Sequence, residues 1–328
     1  MFSSAPFSVL PHLHITLFLV LVLCKIWFGK KEAEGGPFVF WHDLDAGCAN
    51  AAELGYDAVE VFAPNADAIP VDRLRQLTGE HNLKVAAVGT GGGWVIHKWH
   101  LCQLDGASRE NAKGFIKGII DAGAQLGAPA IIGSMQGRFE GEISKEEAHD
   151  YLRGALNELG EHARGAGAPL IYEPLNRYES NLLNRAEDVV PFLGTLGTDN
   201  IVILADLFHM SIEEANIADG LRAYGHHIGH VHFVDSNRRP AGYGHMDYAP
   251  IAAALKEIGY DGALTNEFVA PVDRTPATMY PDMVETNPVD ISPEQLKFIQ
   301  DHGSSLLTED FYSDQMRITA ETLLPLIK

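Results

Sequence analysis

The sequence is poor in cysteine and in basic residues, and it lacks an apolar run long enough to span a membrane. Its three cysteines, Cys24, Cys48 and Cys102, are an odd number without a CxxC pair among 328 residues. This argues against a disulfide-stapled scaffold or a structural zinc finger and fits a reducing compartment, the cytoplasm. Lysine and arginine number 24 against 44 aspartates and glutamates, a net charge of −20. So acidic a surface repels phosphate backbones, and no nucleic-acid partner is expected. The apolar run at residues 15–24 (ITLFLVLVLC) falls short of the about 20 residues a helix needs to cross a bilayer. No lysine or arginine precedes it, so the basic start of a signal peptide is missing; a buried strand is the favoured reading, a cleaved signal or anchor the alternative, and no membrane partner is expected. Three nucleotide and nucleophile motifs are also missing. The first strand has no GxGxxG turn, the glycines at 89–93 are not followed by GK[ST], and residues 133–137 (GSMQG) lack the GxSxG spacing.

What is present is a regular alternation of apolar runs and amphipathic stretches. Candidate strands are 58–62, 84–90, 129–135, 169–174, 201–207, 229–235 and 262–268. They are nearly continuous apolar runs, as expected of parallel strands covered on both faces. Helical spacing marks 42–55 and 144–164, the latter opened by the capping box Ser144–Glu147 and ended at Gly165. Seven strands from Ala58 onward leave a (β/α)8 barrel one strand short. The apolar segment at 15–28 is therefore expected to contain the first strand. The predicted organisation is an amino-terminal extension with that strand (1–30) and one TIM-barrel catalytic domain (31–328). An insertion at about 271–312 holds five of the 17 prolines. A helix at 292–303 is expected inside it, and another at 313–327 after it. Insertions of this length after a barrel strand are usually lids or interfaces.

Barrel chemistry sits at the C-terminal ends of the strands. Those ends supply Glu173 on the fifth strand, Asp206 on the sixth, His232 on the seventh and Glu267 on the eighth. Any one of these alone reads as a helix cap, a salt-bridge partner or a core histidine. Four at matched depth on successive strands read as a metal site, because a divalent cation removes the repulsion among the carboxylates. Oxygen ligands with one histidine suit manganese, with magnesium, cobalt or zinc as alternatives. Glu179, His209, Arg238 and Arg239 lie in the loops that follow.

The segments YEPLNRYESNLLN (172–184), LADLFHMSIEE (204–214), HVHFVDSNRRPAGYGHMDY (230–248) and NEF (266–268) resemble the tagatose/psicose-type ketose 3-epimerases of the xylose-isomerase-like barrel superfamily. GTGGGW (89–94) and IIGSMQGR (131–138) are more similar to a keto-gluconate epimerase subgroup. The resemblance covers about residues 42–270. It implies one divalent metal on Glu173, Asp206, His232 and Glu267, with Glu173 and Glu267 doubling as the catalytic acid/base pair. It also implies that Glu179, His209 and Arg238 hold the substrate, a small sugar, and it leaves a homodimer or homotetramer as a weak expectation. The chemistry agrees, since epimerising a carbon next to a ketone needs a base on one face and an acid on the other. Arg138, which ends the QGR turn, is a candidate for a substrate carboxylate or a partner of Glu140 or Glu142. Trp94 is a candidate apolar wall against the sugar, with core packing as the other reading.

Other readings compete. A dehydratase of keto-inositol or dehydroshikimate type would use the same metal and base. A three-zinc DNA-repair endonuclease of the superfamily needs more histidines and a basic face. A glycosidase built on Glu173 and Glu267 leaves Asp206 and His232 without a role. A sugar-binding barrel without catalysis leaves the two glutamates and Arg238 unexplained.

Overall fold

The computed structural model describes residues 20–27, 40–41, 44–268 and 309–327. Eight parallel strands run in chain order: β1 Val20–Trp27, β2 Ala58–Phe62, β3 Lys84–Gly89, β4 Ala130–Ile132, β5 Leu170–Tyr172, β6 Ile201–Asp206, β7 Ile228–His232 and β8 Ala263–Thr265. Each pairs with the next, and β1 closes the ring on β8 through Val20↔Ala263, Leu21↔Leu264 and Val22↔Thr265. The first strand thus lies within the apolar segment expected to supply it. A two-residue strand, Phe40–Trp41, pairs in parallel beside the end of β1 at Ile26 and Trp27. Residues 271–308 of the expected insertion, its helix at 292–303 and most of the amino-terminal extension lie outside the described residues.

Helices fill the intervals between strands. They are α1 Leu44–Glu53, α2 Val71–Glu80, α3 Gly92–His97, α4 Gly106–Gln125, α5 Lys145–Ala166, α6 Ala186–Leu193, α7 Leu207–Glu213, α8 Ile217–Tyr224, α9 Tyr248–Glu257 and α10 Glu309–Ile327. In α5 the capping box between Ser144 and Glu147 forms as expected, and Ala148, Leu152, Leu156, Leu159 and Ala163 bury one face. That helix runs past Gly165 and stops at Gly167, whose φ of 88° is the left-handed conformation a C-terminal cap requires. At the other end of the chain, α10 returns to the first βα unit. Tyr56 Oη donates to Met316 O at 2.8 Å, and Asn50 Nδ2 to Ser313 Oγ at 2.8 Å.

The period of two along each strand sorts the residues into two layers. Val59, Val61, Ile203, Ala205 and Val231 belong to the main core between barrel and helices. Ala87, Ile131, Ile171 and Leu204 form a separate apolar cluster, built from β3 to β6. Two residues further along three of these strands come Gly133, Glu173 and Asp206. The same step on β7 and β8 leads from His230 to His232 and from Thr265 to Glu267. One half of the barrel interior is therefore apolar. The other half carries the buried Glu60, His230 and Thr265.

Cys48 and Cys102 are buried free thiols, and burial pushes them up to about 11 and about 12. No described helix is long and apolar enough to cross a membrane.

Candidate metal centre

Glu173, Asp206, His232 and Glu267 converge at the strand ends. All four are buried, and each offers a ligand atom within 4.8 Å of the others. His232 Nδ1 is the hub, 3.0 Å from Glu267 Oε2, 3.3 Å from Asp206 Oδ2 and 3.8 Å from Glu173 Oε1.

Each side chain is held by its local structure. The Glu173 backbone continues the β4–β5 pairing, its N–H donating to Ile132 O at 3.0 Å. Buried Gln136 donates to Glu173 O at 2.8 Å and accepts from Tyr172 Oη at 2.5 Å. Asp206 divides its two oxygens between tasks. Oδ1 caps α7 by accepting from Phe208 N (2.8 Å) and His209 N (3.1 Å), while Oδ2 faces His232. Both readings of that residue, helix cap and ligand, therefore hold at once. Burial works to raise the Asp206 carboxyl, but His209, the His232 hydrogen bond and Arg238 outweigh it and hold it below the ordinary carboxylate range.

His232 is set from behind by a residue the sequence reading missed. Its Nε2 lies 3.3 Å from Glu60 Oε2, which is also 3.0 Å from His230 Nε2. Burial would lower the His232 pKa, yet Glu267 and Glu60 carry it well above the ordinary value. The available signal for Glu60 was an acid in the middle of the apolar strand AVEVF, between two valines that pack outward.

The loop after β7 delivers Arg238, whose backbone is left-handed at φ 57°. Its guanidinium donates to Glu267 Oε2 at 3.0 Å and to Glu179 Oε1 at 3.3 Å, and lies over the Phe208 ring at 4.8 Å. The loop is tied by Asp235, which accepts from Ser236 N (2.7 Å), Gly242 N (3.1 Å), Met246 N (3.3 Å) and Tyr248 Oη (2.8 Å). His245 Nδ1 lies 3.0 Å from Ser236 Oγ, so it belongs to this loop.

His209 Nδ1 accepts from Asn176 N at 3.1 Å, which leaves the proton on Nε2 in the neutral ring. Burial holds the ring below its ordinary pKa. Nε2 is buried, without a hydrogen-bond partner among the described residues, and 3.7 Å from Glu173 Oε1. A buried donor aimed at the carboxylates is what a substrate oxygen would satisfy.

Two candidates sit differently. Arg138 is 42% exposed with its Nε 3.5 Å from Glu140 Oε2, the pairing named as its structural alternative. Trp94 is partly buried against the core, edge-on to His100 at 5.7 Å, with Lys98 Nζ 5.2 Å above its ring. Arg239 lies over Tyr243 at 4.4 Å.

The donor set fits a divalent cation. Three carboxylates and one imidazole share a buried pocket, and Arg238 supplies cationic compensation on one side of it. An oxygen-rich set with one imidazole is chemistry for a hard or borderline metal.

Over 247 residues the chain is 30% identical to D-psicose 3-epimerase of Agrobacterium fabrum, covering 74% of this chain and 81% of the relative. It is 26% identical over 228 residues to 3-dehydro-D-guloside 4-epimerase of Escherichia coli, covering 66% and 83%. In three dimensions it superposes on D-psicose 3-epimerase from Clostridium cellulolyticum H10, solved with D-tagatose, with a TM-score of 0.70. That match covers 94% of this chain and 100% of the other at 21% identity, a likeness of fold. The sequence matches the family described as xylose isomerase-like TIM barrel across residues 48–302. The chain belongs to the xylose isomerase-like TIM barrel family.

Proposed function

We propose that this protein, an enzyme of the isomerase class, is a divalent-metal-dependent epimerase acting next to the carbonyl of a free ketose or keto-sugar acid. The observation that carries the reading is the cluster of Glu173, Asp206, His232 and Glu267, with the two glutamates on the outer strands of the set and Asp206 and His232 between them. A metal held by these four, manganese being the best match to the donors, would supply Lewis-acid polarisation of the substrate's carbonyl and adjacent hydroxyl oxygens.

The residues themselves do the proton work. One glutamate takes the proton from the carbon beside the ketone. The C–H electron pair forms the carbon–carbon double bond, the carbonyl pair moves to oxygen, and an enediolate results. The other glutamate returns a proton to the opposite face, and exchange with solvent resets the pair. Arg238, held between Glu267 and Glu179, supports the oxygen that becomes negative. His209 presents its buried Nε2–H to a substrate oxygen, and Glu179 accepts from a hydroxyl.

The test is proton exchange into a panel of free ketohexoses and keto-sugar acids in D2O, with Mn2+, with EDTA and with Glu267→Gln. Metal-dependent deuterium at the carbon beside the ketone, together with a new epimer and its loss in the variant, is expected. Loss of water instead of epimer would move the assignment to a dehydratase. Absence of exchange by protein with bound metal would remove the epimerase reading for that panel.

A further inference from the structure

We infer that Glu60 is a positioning residue for the metal centre, holding the His232 ring so that Nδ1 faces the three ligand carboxylates. The inference rests on the metal-centre reading above and extends it by one shell. Glu60 is completely buried in the middle of β2. It reaches across the barrel interior to β7, a strand it does not neighbour in the sheet. There its Oε2 lies 3.3 Å from His232 Nε2 and 3.0 Å from His230 Nε2, and it accepts from Thr265 Oγ1 at 3.3 Å. Thr265 Oγ1 is in turn 2.8 Å from His230 Nε2.

With a cation among the three ligand carboxylates, Nδ1 turns a lone pair to it and the single proton of the neutral ring sits on Nε2, where it donates to Glu60 Oε2. The opposite tautomer would set a lone pair against the buried Glu60 carboxylate and turn a proton toward the cation. His230 and Thr265 fasten the carboxylate, so the orienting group is itself oriented. Strand packing does not call for an acid here, since Val59 and Val61 bury the outer face of β2 without it. Glu60, His230 and His232 also offer ligand atoms within 4.8 Å of one another. Hydrogen bonds already account for those approaches.

The experiment is a Mn2+ titration of the metal-free full-length protein, with free Mn2+ read by electron paramagnetic resonance. Wild type, Glu60→Leu and Glu60→Gln are compared, and the melting temperature of each metal-free protein is measured alongside. One equivalent of Mn2+ is expected in all three. The Kd is expected to rise about 10–100-fold in Glu60→Leu and by less in Glu60→Gln, whose amide oxygen can still accept from Nε2–H. A lower melting temperature with an unchanged Kd would mark a merely structural residue and overturn the inference. Two equivalents in the wild type falling to one in the variants would overturn it too, by assigning Glu60, His230 and His232 to a second ion. If Glu60→Leu does not fold, Glu60→Gln decides, and a Kd within twofold of wild type overturns the inference. Absence of any Mn2+ binding by the wild type would remove the metal-centre reading along with it. An unchanged Kd in the variants would remove this inference alone.

Discussion

Gly133 lies directly against Glu173. A Cβ built on Gly133 would stand 2.5 Å from Glu173 Oε2, inside van der Waals contact. The two residues follow Ile131 and Ile171, which pair across β4 and β5, and so share one depth in the barrel. The glycine is the space into which the carboxylate fits.

Gly133→Ala is therefore expected to fold, because the end of the Glu173 side chain can swing away, and to lose function because it does. A displacement of about 1 Å at a catalytic group can cost roughly 100-fold in rate. The expected result is a kcat lower by about 10–100-fold, with a weaker Mn2+ Kd and a melting temperature near that of wild type. Unchanged kcat and Kd would show that the Glu173 position does not matter to either.

Arg238 uses two different nitrogens, one on Glu267 and one on Glu179. A lysine ammonium cannot reproduce that fork. Arg238→Lys and Arg238→Ala should both lower kcat, the latter by about 100-fold or more. Removing a cation beside Glu267 makes the pocket more negative, so Mn2+ binding should stay equal or tighten. Weaker Mn2+ binding in Arg238→Ala would contradict this division of labour.

Arg138 is the residue to vary for substrate class. Its side chain is partly exposed beside Glu140. Arg138→Ala should reduce kcat/KM for keto-sugar acids by at least tenfold and leave neutral ketoses nearly untouched. An unchanged ratio between the two classes would end the proposal that Arg138 reads a carboxylate.

Asp235 predicts a pH dependence. Burial pushes its carboxyl up, but the Ser236 N–H, Tyr248 hydroxyl and other loop donors outweigh it and hold it below the ordinary 3.8. A depressed folded-state value means the stabilisation is complete above the unfolded-state value and is lost as pH falls through the folded one. The gap in melting temperature between wild type and Asp235→Asn should be constant above about pH 5 and close below about pH 4. A gap undiminished at pH 3 would show that the carboxylate charge is not what ties the loop.

Much of this protein was legible in its sequence. Parallel strands buried on both faces are apolar runs, and catalytic barrels carry chemistry at strand ends, so Glu173, Asp206, His232 and Glu267 could be named from position alone. Ser144 and Glu147 could be paired because a capping box is local. The first strand was inferred from closure, since eight strands must come from somewhere. The partners of Glu60 and Gly133 were not legible. Each acts on a residue of another strand, Glu60 on His232 across the barrel and Gly133 on Glu173 beside it, and only the register of the closed sheet brings them to the same depth. The role of Asp235 was hidden for a similar reason. Its partners are the N–H groups and hydroxyl of a folded loop, which exist as a cradle only once residues 235–248 have turned back on themselves. The sequence by itself determined which metal-type side chains stand at the strand ends; the tertiary structure decided which residues hold them in place, because that depends on contacts between residues far apart in the chain.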